Sequence, residues 1–154
     1  MSHTLKQLLA AVKAGESETV EFKTSFDKEA IETLAAFANT KGGKVFVGIT
    51  DSGEVKGVVI GKETLQNWFN QIKLTTAQAI VPDVEILETS GKNVVVLSVA
   101  EYPIKPVSYK GRYFKRVKNA NHQLTVAEVF NLHLKSFNTS WDYHIDEYHS
   151  SNDI

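Results

Sequence analysis

Residues 37–57 read FANTKGGKVFVGITDSGEVKG. A helix-like segment ends in two glycines, an apolar run follows, and the run stops at Asp51. A phosphate-cradling glycine loop needs the opposite order: strand, glycines, helix. Only then does a helix N-terminus aim its free N–H groups at the anion. The Lys-Ser/Thr pair of a P-loop is missing too. Gly42 and Gly43 therefore read as a helix C-cap and a tight turn, not a nucleotide site. The turn is expected to set Asn39, Thr40 and Lys41 beside the strand that leads to Asp51.

Upstream, Asp27 stands at an N-cap position, and Ile31, Leu34, Ala35 and Phe37 or Ala38 fall at helical spacing. Residues 19–23 alternate as a strand with Val20 and Phe22 inward. Residues 4–13 form an amphipathic helix through Leu5, Leu8, Leu9 and Val12, stopped by Gly15. Downstream, 44–50 is a buried strand, Asp51-Ser52-Gly53 a turn, and 54–60 the expected return strand of a hairpin. Residues 62–79 suit a helix burying Leu65, Trp68, Phe69, Ile72 and Leu74, ended by Pro82. A second hairpin pairs 83–88 with 93–99 across Thr89-Ser90-Gly91-Lys92, and its β-branched run VVVLSV suits a central strand. After Pro103 and Pro106, a third hairpin joins 107–110 to 113–117 around Gly111, 118–124 is a loop, and Thr125 caps VAEVFNLHLKSF. Hairpins dominate this order. The expected fold is a single α+β domain over 1–137, a mixed, hairpin-rich sheet with helices packed on it, and 138–154 as a polar acidic tail or linker.

The 154 residues are 42% apolar and 23% charged, the profile of one globular domain. No apolar run reaches the ~18 residues of a membrane span, and the N-terminus lacks a signal-peptide layout. There is no cysteine, which excludes disulfides, thiolate metal sites and a Cys nucleophile, and fits the cytoplasm. The net charge of -1 hides a gradient: residues 1–135 hold 17 basic and 14 acidic groups, a net of +3. From Lys105 to Lys118 there are six cations (Lys105, Lys110, Arg112, Lys115, Arg116, Lys118) and no acid. A local patch of this kind suits a polyanion whatever the total charge.

The blocks ESETVEFK (16–23), FANTKGGKVFVGITDSGEVKGV (37–58) and GRYFKRV (111–117), in that order, resemble the Schlafen AlbA-type domain. The resemblance spans about Leu9 to Leu134. Where relatives often carry Gly-Ser after the Arg-Val, this chain has Lys118-Asn119, so the loop 118–124 should take its own shape. The resemblance implies a DNA-binding domain of a prokaryotic transcriptional regulator. It also implies a rival: in eukaryotic relatives, two glutamates five apart and a later aspartate form a metal-dependent RNA-cleaving site. Glu16, Glu21 and Asp51 match that motif.

Carboxylates of that kind can hold Mg²⁺ or Mn²⁺ and orient a water against a phosphodiester. Residues five apart on a straight strand face opposite ways, so Glu16 meets Glu21 only if the chain curls back at 15–18. Otherwise these acids are solvated, or Glu21 pairs with Lys23 or Lys41. The basic hairpin offers the other chemistry, phosphate contacts from its cations with tyrosines for stacking. The histidines show no zinc spacing: His3 is terminal, His144 and His149 lie in the tail, His133 suits helix packing and His122 a loop.

The sequence thus favours a non-enzymatic nucleic-acid-binding module without a cofactor, DNA ahead of RNA, with Lys23, Lys41, Tyr109, Lys110, Arg112, Lys115, Arg116 and Lys118 as contacts. The alternative is an endoribonuclease using Mg or Mn at Glu16, Glu21 and Asp51. No membrane partner is expected. A homodimer through 62–79 or the last helix is a further reading.

Overall fold

The computed structural model of the chain describes residues 2–151, with side chains from 5 to 138. His3, His144, His149 and the tail acids fall outside those described side chains.

Helix α1 (Ser2–Ala14) leads to strand β1 (Val20–Lys23), and α2 (Lys28–Ala38) crosses over to β2 (Gly43–Val47), which lies parallel to β1. Gly42, at φ +76, donates its N–H to Phe37 O at 2.7 Å, closing the C-terminus of α2. A Cβ on Gly42 would sit 2.7 Å from Val99 O, and one on Gly43 would strike the Phe37 ring at 2.8 Å. Both glycines serve packing and the turn. The Asp27 carboxylate caps the other end of α2 by accepting from Ala30 N at 3.1 Å.

Strands β4 (Asp83–Thr89) and β5 (Lys92–Val99) form the expected hairpin, and the first sheet runs β1-β2-β5-β4. The expected return strand at 54–60 does not form. Both edges of β2 are already taken, by β1 and by β5, so the sheet has no place for it. The segment crosses instead: Gly48 O accepts from Lys56 N and Gly57 N, both at 2.8 Å, and Val58 N donates to Asn93 O. One bridge, Ile49 to Val55, is left of the hairpin.

Helix α3 (Thr64–Thr75) is shorter than the sequence suggests, because the chain turns into strand β3 (Thr76–Ala77). It buries Ile72, half-buries Leu65, Trp68 and Phe69, and leaves Leu74 exposed. Strands β6 (Ser108–Tyr109) and β7 (Arg112–Val117) form the third hairpin. Its two-residue turn, Lys110 at φ 49 and Gly111 at φ 75, has the positive angles that match strand twist. The region expected as a loop at 118–124 holds one more strand, β8 (Ala120–Gln123), paired with β7. The second sheet runs β3-β6-β7-β8.

Helix α4 (Val126–Ser151) starts at a reciprocal cap: Thr125 N donates to Glu128 Oε1 at 3.0 Å, and Glu128 N to Thr125 Oγ1 at 3.2 Å. It continues into the segment that composition reads as a tail.

The architecture is α+β, with α2 held between the two sheets. Eight residues of α2, among them Ile31, Leu34 and Phe37, are buried against Val45 and Val47 on one side and Val107, Tyr109 and Phe114 on the other. The last turns of α2, residues 34–38, are apolar all round and need such a position. The opposite face of the first sheet packs Phe22, Phe46, Val94 and Val96 on Leu8 of α1.

Candidate nucleic-acid interface and acidic site

Alternation along β7 decides the fate of its cations. Phe114 and Arg116 face α2, while Tyr113 and Lys115 face away and stay half-exposed. Arg116, expected among the phosphate contacts, is buried: its side chain is 1% exposed, with the Glu21 carboxylate 2.8 Å from Nη2. Its other donors reach Ser17 O, Val20 O and Asn121 Oδ1, and its guanidinium lies 5.1 Å over the Phe37 ring. A guanidinium with that many internal acceptors is structural.

The other expected contacts divide. Lys23 is held by Asp27 at 3.2 Å and Glu29 at 3.3 Å. Burial pulls its ammonium down, the two carboxylates outweigh that, and the net shift is upward. Lys41 pairs with Glu18 at 2.9 Å, Lys105 with Glu101 at 2.8 Å and Lys115 with Glu128 at 3.4 Å. Tyr109 is in the core and not available for stacking. Lys110, Arg112 and Lys118 are exposed and make no ion pair among the described residues. Lys110 and Arg112 mark one end of β7 and Lys118 the other, six residues or ~20 Å apart.

Two of the three acids, Glu16 and Glu21, come together. Gly15 N bonds Ala11 O, and Ser17 and Val20 bond each other across a tight turn, so the chain curls back before β1. That turn places the Glu16 carboxyl against Glu21, with Asp51 beyond. Burial, the hydrogen bond and charge of Glu21, and the charge of Asp51 push Glu16 up to about 8, against a smaller opposing pull from the Phe22 N–H. Asp51 stands on the turn closed by Gly53 N to Thr50 O, at the lip of an open cleft of about 470 Å³ lined by Phe22, Lys23, Thr24, Thr50 and Ser52. Among the described residues no three His, Asp or Glu side chains converge to hold a metal ion. Glu21 is already paired to Arg116 and Asp51 does not converge with the two glutamates, so the three acids do not form a ready cation cage.

Sequence reasoning missed the residues that build this corner. Asn39, expected beside the strand that leads to Asp51, is buried: its Nδ2 donates to Val107 O and Phe114 O, both at 2.8 Å, and Oδ1 accepts from Val107 N at 2.6 Å. Thr40 Oγ1 accepts from Arg116 N, and Asn121 Nδ2 donates to Thr33 Oγ1. The signal in the sequence was an Asn directly after a buried helix, where a side chain can bond backbone across the gap between sheets.

Residues 16–125 match the family described as Schlafen, AlbA_2. The chain belongs to this family. Among solved structures, the N-terminal domain of a protein described as ATP-dependent DNA helicase RecG-related, from Nitrosomonas europaea, is similar at 25% identity and a TM-score of 0.56. That match covers 78% of this chain and 92% of the other. The DIP2311 protein of Corynebacterium diphtheriae shares the fold at 23% identity and a TM-score of 0.57. The match covers 84% of this chain but 28% of that protein. No curated protein matches. No helix among the described residues is long and apolar enough to cross a membrane.

Proposed function

We propose that this AlbA_2 domain binds nucleic acid along the β7–β8 ribbon, acting in the cytoplasm as the DNA-binding part of a transcriptional regulator. One observation carries this reading. While Lys23, Lys41, Lys105, Lys115 and Arg116 are all tied to acids of the chain, Lys110, Arg112 and Lys118 stay exposed and without an ion pair among the described residues, at the two ends of one ribbon. A span of ~20 Å covers about six steps of rise along one DNA strand. Both ends can then meet phosphates of one backbone, with Tyr113 and Lys115 on the face between them. The likeness to a domain of a DNA-helicase-related protein supports the same class of ligand.

The test is a salt series of duplex DNA and RNA binding. Neutralising Lys110, Arg112 and Lys118 together should weaken binding and flatten the slope of log affinity against log salt by about 3. Unchanged affinity and slope would refute the assignment.

The carboxylate cluster supports a second reading, a metal-dependent nuclease, through one observation: Glu16 lies against Glu21, with burial first and the two neighbouring acids after it raising Glu16 to about 8. The donor set described above weighs against it. Incubation of labelled RNA with Mn²⁺ decides: cleavage that vanishes in Glu21→Ala would establish the nuclease.

A further inference from the structure

Among its described residues helix α4 sets one face on the body and leaves a second, apolar stripe exposed. Toward the body, Ser136 Oγ bonds the backbone of Lys105, His133 Nδ1 lies 2.9 Å from Lys105 O, and Leu132 lines a cavity with Asn39 and Thr40. About 100° around the helix, Val126, Phe130 and Leu134 are 88%, 61% and 40% exposed, and Phe137 is half-exposed beside the His133 ring. Along the sequence of α4 the spacing 3-4-3-4-3-4 runs through Ala127, Phe130, Leu134, Phe137, Trp141, His144 and Tyr148. Three heptads of such spacing are the pattern of a coiled-coil seam rather than of a surface helix. The positions flanking this seam, Asn131, His133, Asn138, Ser140 and Ile145, carry no acid, Lys or Arg, and Glu147 is the exception. Two identical helices can therefore meet without facing like charges.

Charge also chooses the direction. Residues 1–125 carry 16 Lys and Arg against 13 Asp and Glu, a net of +3, whereas residues 139–151 hold Asp142, Asp146 and Glu147 and no cation. In a parallel pair the two acidic halves lie side by side. In an antiparallel pair each acidic half lies beside the partner's first half of α4, next to the positive body. We propose that a second copy of this chain seats on the Phe130–Leu134 stripe, giving an antiparallel α4–α4 dimer. The helix is 26 residues, ~39 Å, long enough for that seam. The proposal stands apart from the nucleic-acid reading and survives if that reading fails.

Sedimentation equilibrium at up to about 100 μM protein tests it by mass action. The expected mass is twice the monomer's 17.1 kDa. The double variant Phe130→Glu/Leu134→Glu, at exposed positions, should sediment as a monomer with unchanged circular dichroism. A wild-type monomer at every concentration, or a dimer surviving in the variant, would overturn the proposal. The chain has no cysteine, so introduced ones report direction. Asn138→Cys, near the middle of α4, should cross-link between copies and Asn131→Cys should not. Equal cross-linking at both would exclude the antiparallel arrangement.

Discussion

Arg116 Nη2 lies 2.8 Å from Glu21 Oε1, an ion pair that joins strand β7 of one sheet to strand β1 of the other. The same guanidinium closes the turn before β1 through Ser17 O and Val20 O. It thereby fixes the geometry of the acidic corner.

Removing that cation should be severe. Arg116→Met leaves Glu21 without its counter-ion and takes the guanidinium donors away from Ser17 O, Val20 O and Asn121 Oδ1. Breaking a buried pair this way costs about 3–5 kcal/mol. Urea unfolding should show the loss, and Arg116→Lys should restore only part of it, because an ammonium lacks the planar fork that reaches several acceptors. A loss below about 1 kcal/mol would mean the pair contributes as an ordinary surface bridge.

Stability should depend on pH through Glu16. Its ordinary value is 4.5 and the fold raises it to about 8. Between those values the folded state keeps a proton that the unfolded state releases, so stability falls as pH rises through that window. Glu16→Gln should remove this slope. Urea midpoints measured from pH 5 to 9 should diverge in favour of the variant as pH rises, and parallel curves would contradict the assignment.

Asn39 joins α2 to the second sheet through three hydrogen bonds. Asn39→Leu should leave Val107 and Phe114 backbone groups unsatisfied, at about 3 kcal/mol. For a domain of this size that is about a 10 °C fall in Tm, read by calorimetry.

Two glycines with nearly the same backbone angle separate strain from crowding. Gly91 has φ +75 with nothing within 4 Å of a built Cβ, while Gly42 has φ +76 with Val99 O at 2.7 Å. Gly91→Ala should cost about 1 kcal/mol, the price of the left-handed angle alone. Gly42→Ala should cost at least twice that in chemical denaturation, since strand backbone must move as well.

Glu128 is held below the usual carboxylate range by the Thr125 N–H and hydroxyl, with Lys115 helping. Glu128→Gln keeps the helix cap and frees Lys115. If the β7–β8 ribbon binds nucleic acid, that variant should bind more tightly, with a salt slope steeper by about one.

Most of the local chemistry was legible, the β8 hairpin at 117–120 being the exception. Asp27 as a cap, Gly42-Gly43 as a turn, the hairpins at 89–92 and 110–111, the Thr125 cap and the α+β class all follow from neighbours a few positions apart. Such neighbours meet in any conformation of the chain, and their turn and capping preferences are intrinsic. The return strand at 54–60 was not legible, because its absence depends on β5, some forty residues later, taking the open edge of β2. Nor was the fate of the cations. Six basic residues in a row of fourteen look alike in sequence, yet Arg116 is buried because Glu21 and the Ser17 turn, ~95 positions earlier, supply its acceptors, while Arg112 four residues before it has no ion pair among the described residues. Sequence by itself determined which segments turn, cap and alternate. Only the tertiary structure decided which charges remain for a partner, because a charge is spent or available according to what packing brings within ~4 Å of it.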